Sequence, residues 1–336
     1  MATEVAAPPT IAVLGAGSWG TVFSTVLEAA GARVHLWARR PEVAHEINER
    51  HTNTAYLPGL TLGPAIRAFA EVGQAIDGVD GIVLAVPAQS LRGAFAAWPT
   101  LPDVPVLSLI KGIEQGTDLR ISELMTEVGG IGADRIAVLS GPNLAGEIAQ
   151  QQPCASVVAS SNADVARTVA TWCRAPWFRT YVSEDVIGVE VAGAMKNVIA
   201  TAVGAAAGLG YGDNSRASLI TRGLAEMSRM GTALGASPAT FAGLAGMGDL
   251  VATCASPLSR NFRLGRALGE GMSLEAATVA VGQTAEGVAT ARAIAEVASA
   301  KGIDVPITSA LVDVIDHGRD IADVTTALLS RSVRAE

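Results

Sequence analysis

Gly15, Gly17 and Gly20 stand in G-x-G-x-x-G spacing directly after the apolar run Ile11-Ala-Val-Leu14, and no other stretch constrains the chain as much. Four apolar residues in a row read as a buried strand. The first glycine then allows a tight turn, the second lets the backbone come close to a pyrophosphate, and the third lets the following helix pack on the strand. That helix starts near Ser18 and is stopped by Gly31, so its free N–H groups and the positive end of its dipole face a bound phosphate. The chain has 36 glycines, so the spacing alone arises easily by chance. The strand before it and the helix after it give this instance its meaning.

A chain of 336 residues is long enough for two domains, each with its own core. Apolar residues make up 49% and charged residues 17%, the balance of a tightly packed protein and not of a disordered one. A net charge of −8 argues against nonspecific nucleic-acid binding, which needs a basic face. Cys154, Cys173 and Cys254 are odd in number and widely spaced, with no Cys-x-x-Cys or metal spacing. Reduced thiols, no metal and a cytoplasmic location are expected. Residues 1–9 read as a short flexible tail without the features of a signal peptide. The longest apolar run after it, Val198 to Leu209, is too short and too rich in Ala and Gly for a membrane span.

Further strands are expected at Ala32–Trp37, Gly81–Val86, Val104–Ile110, Arg135–Leu139, Ala155–Ala159 and Trp177–Val182. Helical stretches lie between them, the alternation that builds a parallel sheet. Residues 41–80 read as helix, irregular chain and helix. The glycine turn, Arg39, Arg40, Pro87, Lys111 and Gly141-Pro-Asn143 all follow carboxyl ends of apolar strands, where open parallel sheets bind ligands. An acidic residue after the second strand would bond both ribose hydroxyls and repel a 2′-phosphate. Two arginines there suggest that NADP is accepted, unless they merely sit on a solvated helix start.

From Ser183 onward the sequence reads as helix only. Glu184 to Gly208 forms a long apolar helix with Lys196 in its middle, flanked on its face by Ala192, Gly193, Ile199, Ala200 and Val203. A lysine in that setting must snorkel, pair, or work with a lowered pKa, and spacing alone favours a structural role. Asp249 follows three glycines within Gly243–Gly248, where an N-cap is the ordinary fate of an aspartate. Ser259, Arg260 and Asn261 bunch a hydroxyl, a guanidinium and an amide, side chains that grip a phosphate or a polyol.

These motifs add up to a family. GAGSWG at 15–20, IKGIE at 110–114, SGPNLAGE at 140–147, VAGAMKNVIA at 191–200, GLAGMGDLVATC at 243–254 and SRNFRLG at 259–265 make the chain resemble bacterial NAD(P)-dependent glycerol-3-phosphate dehydrogenases over essentially its full length. The resemblance implies an α/β fold. A Rossmann-type doubly wound domain at 10–185 would precede an all-helical substrate domain at 186–332, of the kind found in 6-phosphogluconate dehydrogenase. It implies reduction of dihydroxyacetone phosphate to sn-glycerol 3-phosphate for phospholipid synthesis, with NADP or NAD as cofactor, in a homodimer. Lys196 would be the catalytic proton carrier, and Lys111, Gly141, Asn143, Asp249, Ser259, Arg260 and Asn261 would line the substrate site with it. Gly15, Gly17, Ser18, Trp19, Gly20, Arg39, Arg40, Lys111, Ala145, Arg260, Thr284 and Glu286 would meet the cofactor. Asn143 departs from the Ser or Thr usual in the family but still offers a donor and an acceptor. Leu144 replaces a common aromatic.

Two other readings compete. Another dehydrogenase with a helical second domain, acting on a 3-hydroxyacid or on 6-phosphogluconate, is opposed by the block from Gly243 to Gly265. A nucleotide sensor without turnover would keep the glycine turn but lose Lys196 and Asp249, and both are present.

Overall fold

The computed structural model describes residues 7–282 and 285–329, so residues 1–6 of the expected tail lie outside it. The chain groups into two compact units. One comprises Met1–Ile110, Ser122–Leu139 and Ala145–Val186, and the other Lys111–Ile121, Ser140–Leu144 and Ile187–Glu336.

The first unit is built on an eight-stranded sheet in the order β3-β2-β1-β4-β5-β6-β7-β8. Its strands are β1 (Thr10–Leu14), β2 (Arg33–Trp37), β3 (Ile66–Phe69), β4 (Gly81–Leu84), β5 (Val106–Ser108), β6 (Ile136–Ser140), β7 (Cys154–Ala159) and β8 (Phe178–Ser183). β1 pairs in parallel with both β2 and β4, and β7 in parallel with β8. Every residue of β1, β4 and β6 is buried, as the uninterrupted apolar runs require of strands covered on both faces. The chain winds outward from β1 to β3 and then outward from β4 to β8, so the order reverses between β1 and β4. At such a reversal a crevice opens outside the carboxyl ends of the strands, and the glycine turn leaves β1 at that point. The following helix, Ser18–Ala29, buries Val22, Phe23, Val26 and Leu27.

β3 lies within residues 41–80, where helix, irregular chain and helix are expected and no strand. It has four residues and alternates buried Ile66 and Ala68 with the exposed Arg67 and half-exposed Phe69. A short edge strand of this kind has too few buried positions for an apolar run to mark it.

The second unit is helical and organised around Val186–Gly208. This 23-residue helix is long and apolar enough to cross a membrane, and the expected run Val198–Leu209 covers only its second half. It is the core helix of the unit: Val191, Met195, Ile199 and Val203 pack with Met227, Met230, Phe241, Leu250 and Ile294. Apolar character on every side is what a buried helix needs. The helix Arg260–Gly269 lies backbone to backbone against it. A Cβ on Gly204 would collide with the Phe262 carbonyl, and one on Gly265 with the Thr201 carbonyl.

The glycine-rich block before Asp249 makes a π turn, Leu244–Gly248, in which the Gly248 amide reaches back to the Gly243 carbonyl at 3.1 Å. It leads directly into the helix Asp249–Ala255.

Glu226, fully buried on the helix Asp213–Ala233, closes the N-terminus of the helix Pro306–His317. Its carboxylate accepts from the Ile307 amide at 2.8 Å, the Thr308 amide at 2.9 Å and the Thr308 hydroxyl at 2.6 Å. Burial pushes its carboxyl above the ordinary value although all three hydrogen bonds act the other way. Glu226→Ala strands three donors, so it should cost about 3 kcal/mol and lower the melting temperature by about 6 °C. A melting temperature within about 1 °C of wild type would show that the carboxylate does not cap this helix.

Candidate active site

Asp249 is the first residue of its helix, and its carboxylate is only 1% exposed. It does not cap the helix, contrary to the expectation for an aspartate after a glycine turn. The N-cap is Gly248, with no side-chain cap hydrogen bond, and the Asp249 carboxylate is taken up by two ammonium groups. Lys196 Nζ donates to Oδ1. Lys111 Nζ donates to Oδ2 at 2.6 Å, and Ser140 Oγ lies 3.4 Å from the same oxygen.

Thr253, one helical turn on from Asp249, accepts from Lys196 Nζ at 2.8 Å and donates to Asp249 Oδ1 at 3.2 Å. Lys111 also donates to the Gly141 carbonyl at 3.2 Å. The structure therefore brings together Lys111, Gly141, Lys196 and Asp249 and adds Thr253 and Ser140, which sequence reasoning missed. Thr253 was detectable in principle, because residues i and i+4 share a helix face. Ser140 had no such signal.

The elements explain why the groups meet. Lys111 and Ser140 pass over the core helix at Gly193, where a Cβ would come within 2.8 Å of Ser140 Oγ and 3.5 Å of Lys111 Cγ. Lys196 follows one turn later on that helix. The chain has only three lysines, Lys111, Lys196 and Lys301, and two of them converge on one aspartate. The choice of lysine matters, because a buried ammonium loses its proton readily and a guanidinium does not.

Burial is the largest influence on Lys196 and pushes its ammonium down to about 7. The Asp249 carboxylate opposes that effect and the Lys111 charge adds to it. Burial alone would raise Asp249, but the ammonium groups of Lys111 and Lys196 outweigh it and hold the carboxyl below its ordinary value. With Lys196 protonated, the cluster holds two positive charges against one negative. It can accept an anionic ligand, and it can exchange a proton near neutral pH.

Ser259, Arg260 and Asn261 take different parts. Ser259 is buried, and its hydroxyl caps the helix Arg260–Gly269 by accepting from the Phe262 amide at 3.2 Å. Asn261 ties that helix to its neighbours, donating to Asn197 Oδ1 at 2.9 Å and accepting from the Gly287 amide at 2.9 Å. Asn197, the polar residue beside Lys196, went unnoticed in the sequence. Arg260 has no ion pair or hydrogen bond among the described residues. Burial lowers its guanidinium pKa, and the charge of Glu286 acts in the opposite direction. Asn143 is half-buried in the loop after β6, and Thr284 lies outside the described residues.

In the first unit the glycine turn has the shape its spacing implies. Gly15 has a φ of +132°, and a Cβ there would lie 2.5 Å from the Ala85 carbonyl oxygen. A Cβ on Gly20 would collide with the Gly15 carbonyl, whereas one on Gly17 would meet nothing within 4 Å. Crowding at the first and third glycines with open space at the second is what a pyrophosphate needs. Gly17 caps the helix without a side-chain hydrogen bond, and the indole Nε1 of half-buried Trp19 is buried without a partner. These features fit a dinucleotide phosphate.

Ser18 donates its hydroxyl to the Tyr56 carbonyl at 3.1 Å. Arg39 and Arg40 are both exposed after β2. Arg40 stacks over Tyr56 at 5.5 Å and lies 3.8 Å from Glu42, whereas Arg39 has no partner among the described residues. Ala145 begins the short helix Ala145–Ala149.

The chain matches the family described as NAD-dependent glycerol-3-phosphate dehydrogenase, its N-terminal part over residues 10–166 and its C-terminal part over residues 185–326. It is 52% identical over 329 residues to glycerol-3-phosphate dehydrogenase [NAD(P)+] of Thermobifida fusca, covering 97% of this chain and 98% of that protein. It is 51% identical over 331 residues to the enzyme of the same name from Corynebacterium diphtheriae, covering 97% and 99%. The crystal structure of glycerol-3-phosphate dehydrogenase from Coxiella burnetii superposes with a TM-score of 0.90 at 34% identity, covering 96% of this chain and 99% of that one. With both parts of the family matched along nearly its whole length, the chain belongs to the NAD-dependent glycerol-3-phosphate dehydrogenase family.

Proposed function

We propose that the protein reduces dihydroxyacetone phosphate to sn-glycerol 3-phosphate, and catalyses the reverse oxidation, with Lys196 as the proton carrier. As a member of its family it is an NAD(P)-dependent oxidoreductase. The observation that carries the mechanism is the buried contact of Lys196 with Asp249 and Thr253.

An ammonium has three N–H donors, and these two contacts use two of them. The third is left for the substrate carbonyl oxygen. A reduced nicotinamide, when bound, would supply the hydride for the carbonyl carbon. Lys196 gives its proton to the oxygen, and Asp249 keeps the amine oriented and ionised until transfer. In the oxidation direction the neutral amine takes the hydroxyl proton.

Lys111 holds the second carboxylate oxygen of Asp249 and adds positive charge for the substrate phosphate. Arg260, without an ion pair among the described residues, is the guanidinium suited to clamp that phosphate. Ser259 and Asn261 support this reading through the helix they brace, since they seat Arg260 at its first position. Fixing the phosphate end orients the carbonyl, a gain in proximity that raises the rate without new chemistry.

The glycine turn and the helix start at Ser18, Trp19 and Gly20 would hold the cofactor pyrophosphate. Arg39, exposed after β2, is the residue suited to a 2′-phosphate, so NADPH serves at least as well as NADH. The product would supply glycerophospholipid synthesis. We further propose a cytoplasmic homodimer: the free cysteines suit a reducing compartment, and exposed Met247, Val251 and Leu258 offer apolar surface for a second copy.

NADPH oxidation followed by absorbance tests the proposal directly. Dihydroxyacetone phosphate should be turned over and unphosphorylated dihydroxyacetone hardly at all. Because Lys196 ionises near 7 in the folded protein, kcat/KM for reduction should fall as pH rises through that value. The corresponding constant for oxidation, which needs the neutral amine, should rise over the same interval. Lys196→Met should lower kcat by roughly two to four orders of magnitude with NADPH affinity unchanged. Turnover retained in this variant would remove Lys196 from the mechanism. Arg39→Asp should raise KM for NADPH by about tenfold and leave KM for NADH nearly unchanged. Equal changes for the two cofactors would show that Arg39 does not meet the 2′-phosphate.

A further inference from the structure

Asn53 is 1% exposed and belongs to no element of the sheet. Its side-chain amide donates twice, to the Ala16 carbonyl at 3.0 Å and to Thr21 Oγ1 at 2.9 Å. Its own Oδ1 is buried without a partner. Leaving a buried acceptor unpaired is unfavourable, so what holds this side chain in place is what its donors reach. The amide cannot be turned over, because Oδ1 would then face the Ala16 carbonyl, acceptor against acceptor.

The acceptor it holds is one half of the Ala16–Gly17 peptide. In a planar trans peptide the C=O and the N–H point in opposite directions. Drawing the Ala16 oxygen toward Asn53 therefore turns the Gly17 N–H to the other side, and Gly17 is the open glycine of the turn. The second donor reaches Thr21, whose amide already bonds the Gly17 carbonyl at 2.9 Å. One side chain thus ties the peptide before Gly17 to the first turn of the helix after it.

The segment that carries Asn53 is itself held. The Asn53 carbonyl accepts from the Leu57 amide at 2.8 Å and the Tyr56 amide at 3.2 Å, and the Tyr56 carbonyl accepts from the Ser18 hydroxyl.

We propose that Asn53 is a positioning residue for the cofactor: it presets the Ala16–Gly17 peptide so that the Gly17 N–H is presented to a dinucleotide pyrophosphate. This rests on the reading of the protein as an NAD(P)-dependent enzyme, and wild-type binding of NADPH to the full chain, measured first by protein-to-NADPH fluorescence energy transfer, tests that reading by itself.

Asn53→Leu keeps the volume and removes both donors. It should weaken NADPH binding by about tenfold or more and raise KM for NADPH in step. At saturating NADPH, kcat should stay within about twofold of wild type, because the cofactor, once bound, restores the peptide orientation. Thr21→Val, which leaves the bond to Ala16, should bind NADPH within about threefold of wild type. Asn53→Asp, nearly isosteric but with acceptors facing the Ala16 oxygen, should lose affinity at least as much as Asn53→Leu and so provides the test if the leucine variant does not fold. Wild-type affinity in the Asn53 variants overturns the proposal. So does an equal loss in Thr21→Val, or a fall in kcat as large as the rise in KM, since each would make Asn53 a general packing residue.

Discussion

The Asp249 carboxylate lies buried between the ammonium groups of Lys196 and Lys111, and the second unit is arranged to make that contact. A buried charge is tolerated only when partners replace the water it has lost, and removing one partner leaves the others uncompensated. The contact therefore sets demands on three distant stretches of chain. The Lys111 segment must follow β5 and pass over the core helix at Gly193. The core helix must present Lys196 one turn later. The π turn must deliver Asp249 at the start of a helix, with Thr253 one turn behind it. An excess of one positive charge makes the cluster receptive to an anionic ligand, and burial brings one of its protons within reach at neutral pH.

The same economy governs the glycine turn of the first unit. Gly15 and Gly20 are required by crowding, and Gly17 is required by what must approach it. Orientation of the turn depends on Asn53, a residue outside the motif. The second unit also uses a buried amide as a brace: Asn261 is held between Asn197 and the Gly287 amide.

Much of this was legible in the sequence. The buried strands of the sheet announce themselves as apolar runs, and the glycine spacing locates the turn that leaves β1. β3 was not legible, because an edge strand with two buried positions carries no such run. Lys196 stood out as a charge on an apolar helix, but spacing left it looking structural, and only the family resemblance gave it a chemical role. By residue type its partner looks like an N-cap, and only the resemblance put Asp249 at the substrate site; its two lysines come to it from 53 and 138 positions away along the chain. Ser140 and Asn53 were invisible for the same reason. Each is an ordinary polar residue whose significance lies in a contact made across the fold.

Lys196 is a buried amine poised near neutral pH and supported by Asp249. With only three lysines in the chain, side-chain 15N NMR of lysine-labelled protein can follow each ammonium separately as pH is changed. Lys196 should titrate at about 7, and in Asp249→Asn its midpoint should fall further as the supporting carboxylate is lost. A Lys196 that titrates at the ordinary lysine value of about 10.4, unmoved by Asp249→Asn, would contradict the account.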